Sequence, residues 1–288
     1  MRLLKFFLLL SALIHSSLLI AGPSINQFEV KDLDSEAGNF EFQIQNAHSF
    51  SDPNRQYQTN DMGEIIYDDN SIAQQRHALE LEYSASDRLR IRIGIEYEKE
   101  RLEEPKTVRE ANHFDSLQLD ELAIEVAYVF IPATEEQVGF GILSELQYAI
   151  EKEEPHSFVF GPIIESHSGN WSTVTNFTLI HSFGGESEER DNKWDLAYAS
   201  QVMYHFSSQW QLAVEAYGTV ERIGNTGTRS EENEIFGDHN QHRLGPVNYY
   251  AFDLGGDDIE AVLGTGLFFG LNNDTPDFTF KWSVEIEF

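Results

Sequence analysis

From Leu89 to Tyr97 the chain alternates one for one, with Leu89, Ile91, Ile93, Ile95 and Tyr97 on one side and Arg90, Arg92, Gly94 and Glu96 on the other. A side chain that changes side at every residue marks a β-strand, because a helix returns to the same face only every third or fourth residue. The same rhythm sets His77, Leu79, Leu81 and Tyr83 against Arg76, Glu80 and Glu82. It recurs in Leu122, Ile124, Val126, Tyr128 and Phe130, opposed by Glu121, Ala123, Glu125 and Ala127. Later rows carry aromatic residues, first Trp194, Leu196, Tyr198, Val202, Tyr204 and Phe206, then Trp210, Leu212, Val214, Ala216 and Val220. The last row, Phe278, Phe280, Trp282, Val284, Ile286 and Phe288, alternates with Thr279, Lys281, Ser283, Glu285 and Glu287.

The pattern predicts strands at 39–46, 75–84, 89–98, 117–130, 138–151, 156–165, 171–183, 193–206, 209–222, 240–253, 258–271 and 277–288. Pro162 and Pro246 fall inside two of them and imply a bulge or a local loss of pairing. A soluble β-protein alternates too, so the rhythm alone does not separate a core from a lipid-facing wall. Three further features do. The connections alternate between long (47–74, 99–116, 184–192, 223–239) and short (85–88, 207–208, 254–257), as outer loops and periplasmic turns do. Large aromatics, among them Tyr83, Tyr97, Tyr128, Tyr148, Trp171, Trp194 and Trp210, stand toward strand ends, where the girdles of a membrane barrel belong. The chain also stops on an apolar aromatic, Phe288, within an alternating strand. The fold expected is all-β: a transmembrane, antiparallel, up-and-down β-barrel of about twelve strands spanning residues 39–288, with both ends on the periplasmic side.

The first residues add an export route. Met-Arg-Leu-Leu-Lys is followed by an almost wholly apolar run from Phe6 to Ile20 and by the small residues Ala21 and Gly22. Residues 1–21 are therefore read as a signal peptide, since the run is short for a membrane helix, which needs roughly 20 apolar residues. Residues 22–38 are expected as a periplasmic N-terminal segment whose Phe28, Val30 and Leu33 are able to dock inside the barrel.

Composition removes several functions. The 288 residues contain no cysteine, which excludes a disulfide scaffold, a thiolate metal site and a cysteine nucleophile. A formal net charge of −30 makes nucleic acid a poor partner. No cofactor is expected. Asp52, Asp61, Glu64, Asp68 and Asp69 in the first long connection lack the spacing of an EF-hand loop, and His239 with His242 is a weak metal pair in a charged loop. His167-Ser168-Gly169-Asn170 has the residue types of a hydrolase, but neighbours in one turn cannot all converge on a reacting atom. His205 is expected opposite Gln211, which offers no nucleophile. No enzymatic activity is expected.

If the apolar rows face lipid, the opposing rows line the lumen. The candidates there are Glu80, Glu82, Arg90, Arg92, Glu96, Glu121, Glu125, Glu145, His205, Glu215, Glu260 and Lys281. Acids outnumber the cations Arg90, Arg92, Lys193, Arg243 and Lys281, so an open lumen would favour cations or neutral polar solutes over anions. Because Tyr83 and Leu89 share a face, a three-residue loop at 85–87 would place Glu82 across from Arg90 and Glu80 across from Arg92. Such pairs serve either to satisfy ions in a confined space or to select solutes. Gly139, Gly141, Gly264, Gly266 and Gly270 would widen the passage or serve sheet curvature.

Gly161-Pro162-Ile163-Ile164-Glu165, the Tyr204–Gly218 hairpin, His242-Arg243-Leu244-Gly245-Pro246 and Leu267–Phe288 resemble Gram-negative outer-membrane proteins related to the MetA-pathway of phenol degradation family. The resemblance covers about half of the chain after the signal. It implies an outer-membrane barrel and gives no residue a catalytic role. The terminal row Phe280, Trp282, Val284, Ile286 and Phe288 resembles the assembly signal of such proteins, so the partners expected are outer-membrane lipid, the barrel assembly machinery and small solutes. The function expected is a narrow channel or binding barrel. A non-conducting structural or adhesion barrel and a lipid-modifying enzyme are the rival readings.

Overall fold

Strands in lipid must pair along both edges, because an unpaired amide or carbonyl finds no water there. The computed structural model describes residues 28–50, 57–59, 65–67, 75–99, 116–150, 155–184, 194–220, 223, 241–255, 259–272 and 275–288, and it meets this demand by closing on itself. The strands are β1 (Phe40–Phe50), β2 (Tyr57–Thr59), β3 (Ile65–Tyr67), β4 (Gln75–Ser86), β5 (Leu89–Lys99), β6 (Gln118–Ile131), β7 (Gly139–Ala149), β8 (His156–Ser168), β9 (Trp171–Phe183), β10 (Trp194–His205), β11 (Trp210–Val220), β12 (His242–Asp253), β13 (Glu260–Gly270) and β14 (Phe278–Glu287). β2 and β3 pair only with each other, as a short ribbon within the first long connection. The other twelve form a closed up-and-down barrel in which every pair is antiparallel, β1 completing the ring between β14 and β4.

Burial runs opposite to that of a soluble protein. On β5, Arg90 and Arg92 are 5% and 4% exposed while the intervening Ile91 and Ile93 are 37% and 54% exposed. On β6, Glu121 and Glu125 are buried and Leu122, Ile124, Val126, Tyr128 and Phe130 face outward. An apolar outside around a charged inside is the arrangement of a barrel in lipid. Aromatic residues ring the short-turn end, where Phe40 and Tyr83, Trp171 and Tyr204, and Trp210 and Tyr250 sit with ring centroids 4.6 to 4.8 Å apart. Among the described residues no helix is long and apolar enough to cross a membrane.

Two prolines act as the alternation anticipated, by loss of pairing and without a bulge. The β8–β9 register runs Phe160↔Leu179 and resumes at Ile163↔Asn176, unshifted across Gly161-Pro162. The β12–β13 register likewise runs Leu244↔Phe269 and resumes at Val247↔Gly266 across Gly245-Pro246. Proline brings no N–H to the ladder, and each preceding glycine lets the neighbouring strand approach: a Cβ at Gly161 would strike the Phe177 carbonyl oxygen, and one at Gly245 that of Leu267.

The β4–β5 hairpin corrects the expected register. The turn is Asp87-Arg88, with Ser86 opposite Leu89 and an irregularity between Ser84 and Ser86. A two-residue turn plus one extra residue preserves the parity but slides the strands by two, so Arg92 lies across from Glu82, Arg90 across from Ser84, and Glu80 across from Gly94.

Candidate functional site

Residues 28–39 run up the inside of the barrel. At the short-turn end the Gly38 amide donates to the Ser84 carbonyl (2.8 Å), the Ala37 amide to Asp87 (3.1 Å) and the Ser35 hydroxyl to the Ser86 carbonyl (2.7 Å). Leu33 then enters an apolar cluster with Val129, Leu143, Val159, Ile163, Val174 and Ile180. Its amide donates to Glu165 Oε2 (2.7 Å). A Cβ at Gly139 or Gly141 would come within 2.6 Å of the Leu33 methyls, so these glycines make room for a side chain and not for an open passage. Asn176 holds Lys31 by two bonds, accepting from its amide (2.8 Å) and donating to its carbonyl (2.7 Å). Farther up, Phe28 packs with Ala47, Tyr217 and Phe268, receives the Tyr217 hydroxyl on its carbonyl (2.9 Å) and lies 4.7 Å beneath the Arg243 guanidinium. Val30 packs against both clusters.

Charged groups fill the space between these two anchors. Arg92 is the hub, reaching Glu82 (2.8 Å) and Glu80 (3.0 Å) on β4 and Glu29 on the segment (2.7 Å). The contacts Glu80 to Arg92 and Glu82 to Arg90 (3.5 Å) both exist, but they are diagonal and not directly across. Arg90 also pairs with Asp32 (3.0 Å) and donates to its carbonyl (2.6 Å). Burial alone would raise the Glu29 pKa; Arg92 and Lys31 outweigh it and hold the carboxyl below its ordinary range.

The remaining candidates fall into separate groups. Glu96 lies opposite Glu121, and Glu125 opposite Glu145, all four buried on β5, β6 and β7. Across the barrel, Lys281 donates to Glu215 (2.9 Å) and to the Tyr217 hydroxyl oxygen (3.1 Å), and the Tyr249 hydroxyl also donates to Glu215. Glu260 does not join them. It is exposed at the short-turn rim, beside a cavity of about 650 Å³ that Glu36, Asn39, Asp253 and Glu287 also line. Phe280, Trp282, Val284, Ile286 and Phe288 share the outer side of the closing strand, opposite buried Thr279, Lys281 and Ser283. The acidic residues Asp52, Asp61, Glu64, Asp68 and Asp69, and Lys193 and His239, lie outside the described residues.

His205 faces Gln211 in register as expected, yet a serine does reach it: Ser172 Oγ lies 3.0 Å from its Nε2, a diagonal contact across β9 and β10. His167 instead pairs with Glu165 (2.9 Å), and His242 with the Tyr198 hydroxyl (3.1 Å). A serine–histidine pair requires an orienting group and an oxyanion site to do acyl chemistry. Among the described residues no hydrogen bond reaches the other nitrogen of His205, and no group of three or more residues is placed to hold a metal ion.

Beside the segment a cavity of about 350 Å³ remains, lined by Glu41, Gln43, Glu165, His205, Gln211 and Glu285 among others. The interior is therefore a charged, largely acidic lumen with one strip of the chain's own backbone through it. The fold is that of known outer-membrane channels. An outer-membrane channel from Pseudomonas putida F1 superposes with a TM-score of 0.55 at 14% identity, covering 90% of this chain and 99% of that one. The NanC porin gives 0.50 at 7% identity, covering 86% and 98%. No family model matches the chain, and no curated protein matches it either. At these identities the likeness speaks for the fold, and the lumen's own chemistry must speak for the function.

Proposed function

We propose that the protein is an outer-membrane channel for small solutes, with a lumen that favours cationic or neutral polar solutes over anions and with residues 28–39 as its internal plug. The observation that carries this reading is the lumen itself. It is polar and rich in carboxylates, and it keeps a cavity of about 350 Å³ beside a segment tied to the wall at its Ser35, Leu33, Lys31 and Phe28. A twelve-stranded barrel lies between the filled eight-stranded and the open sixteen-stranded kinds, and a plug of one strand's thickness suits that width. That the two structural neighbours are a channel and a porin supports this reading.

The reading extends to export and assembly. Residues 1–21 direct export and are removed; the row ending at Phe288 engages the barrel assembly machinery; lipid surrounds the apolar belt. The motifs at Gly161–Glu165 and His242–Pro246 support kinship with the phenol-degradation family. No bond-making chemistry is assigned, since Ser172 and His205 lack the rest of a catalytic set.

Planar-bilayer recordings of the purified protein test the proposal. Small, cation-selective currents are expected, measured from the reversal potential across a salt gradient. No current under any voltage, for the whole chain and for a variant lacking residues 28–38, would leave the closed structural or adhesion barrel as the reading.

A further inference from the structure

Resting on the outer-membrane reading of the barrel, we propose that the outward face of β1, β4 and β5 at the long-loop end is a docking site for the phosphate of an outer-leaflet glycolipid, held by Lys99, His48 and Asn46.

Strand register sets two polar rows side by side on this face. His48, Gln75 and Lys99 lie directly across from one another, and Asn46, His77 and Tyr97 form the next row toward the short turns. The row after that is Ile44, Leu79 and Ile95, where the apolar belt begins. The residues between the two polar rows, Ala47, Arg76 and Glu98, turn inward by the alternation of the pleat, and there Arg76 pairs with Glu98 (2.7 Å). On the neighbouring β14 the outer face stays apolar, with Trp282 across from Asn46 and Phe280 across from His48. The polar rows are thus a notch in the belt, at the end that long loops mark as the cell exterior.

Bonding within the notch leaves donors over. His77 is engaged on both ring nitrogens, Nδ1 by Asn46 Oδ1 and Nε2 by Gln75 (2.5 Å). That leaves Asn46 Nδ2, which is buried without a hydrogen-bond partner on a residue only 4% exposed. The His48 ring meets the His77 ring edge-on at 5.7 Å, and among the described residues it makes no hydrogen bond. Lys99 likewise has no ion pair among them. His48 and Lys99 stand two strand spacings apart, about 10 Å at the backbone, a span that an imidazole and a four-carbon stem can close around one tetrahedral anion.

Donors without an acceptor identify the partner's chemistry. A buried amide left unbonded is costly, and an oxyanion relieves that cost while neutralising the ammonium. A second copy laid wall to wall cannot bring the anion, because among the described residues the barrel strands carry their Asp and Glu on the inward rows. A lipid phosphate brings it together with acyl chains that lie along Ile44, Leu79 and Trp282. In a chain of net charge −30, such a patch also offsets locally the repulsion between the protein and an anionic leaflet.

The test is native mass spectrometry of the purified full-length barrel, titrated in detergent with diphosphoryl lipid A and with the same lipid stripped of its phosphates. Wild type should bind the phosphorylated form about tenfold more tightly, the preference that one charge-assisted hydrogen bond confers. His48→Phe with Lys99→Met, which keeps a ring and a long stem in the wall, should abolish that preference. His156→Phe, at the same end of the barrel but on β8 and stacked on Tyr148 (4.3 Å), should keep it. No preference in wild type, a preference that survives in the double variant, or its loss in His156→Phe as well overturns the proposal. If the double variant does not give a folded, heat-modifiable barrel, Lys99→Gln carries the same comparison. Lipid binding without phosphate preference refutes this site alone, whereas a chain that stays soluble without detergent refutes the membrane reading on which it rests.

Discussion

Arg92 gathers more of the lumen's polar bonding than any strand-borne cation around it, and the reason is its shape. A guanidinium presents a planar fork of donors, so one residue serves Glu82, Glu80 and Glu29 at once, from two strands and the plug. Removing it takes one cation from three buried carboxylates and leaves Glu82 to Arg90 and both Glu29 and Glu80 to Lys31. Arg92→Met is expected to cost about 3 to 5 kcal/mol, the range for breaking a buried ion pair from one side, read as a shift in urea unfolding of the barrel in lipid vesicles. Lys at this position should recover less than half, since a point charge cannot span the three. Glu29 makes the matching argument for pH. Arg92 and Lys31 overcome the effect of burial and depress its pKa below the ordinary 4.5, so its contribution to docking is complete above that value and is lost as pH falls toward the lowered one. Glu29's share of docking is thus expected to hold from neutral pH to about 4.5 and to fade below it, with conductance rising; a Glu29→Gln variant showing the same acid profile as wild type below 4.5 would remove Glu29 as the cause. Gly141 is a third residue-scale case. Its Cβ would meet Leu33 at 2.6 Å and the Tyr128 carbonyl oxygen at 2.9 Å. Gly141→Ala should destabilise by about 1 to 3 kcal/mol through overpacking, and Leu33→Ala in the same chain should recover part of that, a coupling that a double-mutant cycle measures.

Among the elements, those read from parity were legible and those set by turns were not. The faces of β4, β5, β6, β11 and β14 follow from the sequence because the pleat flips each side chain whatever the strand pairs with. Parity leaves the register open in steps of two. The Asp87-Arg88 turn and the extra residue between Ser84 and Ser86 used that freedom, which is why Arg92 meets Glu82 and not Glu80 directly. The Gly161-Pro162 and Gly245-Pro246 steps were visible as interruptions, but their consequence was geometric. The strands stay in register, and the glycine admits the neighbour's carbonyl. Gly161→Ala and Gly245→Ala should each lower the yield of folded, heat-modifiable barrel, whereas Gly94→Ala, whose Cβ would make only ordinary contacts with Glu80 and Ala123, should leave the yield much closer to wild type. Equal losses at all three would deny the close-approach explanation.

At the scale of the whole molecule, residues 28–38 join the barrel at Asn39 and are held to its inner wall through Ser35, Leu33, Lys31 and Phe28. Leaving out residues 28–38 is expected to raise single-channel conductance several-fold and to keep the channel cation-selective without steepening that selectivity, because Glu29, Asp32, Asp34 and Glu36 leave with Lys31 while the wall's Glu80, Glu125 and Glu145 stay. Unchanged conductance in that variant would mean that the segment does not obstruct the path. The amino-acid sequence by itself determined the strand count, the lipid-facing and lumen-facing rows and the acidic character of the interior, because these depend on the period-two geometry of neighbouring residues. Only the tertiary structure decided the register of the first hairpin, the exposed place of Glu260, the reach of Ser172 to His205 and the course of the plug. Those depend on contacts such as Leu33 to Glu165 and Tyr217 to Phe28, 132 and 189 residues apart in the chain, which leave no local pattern to read.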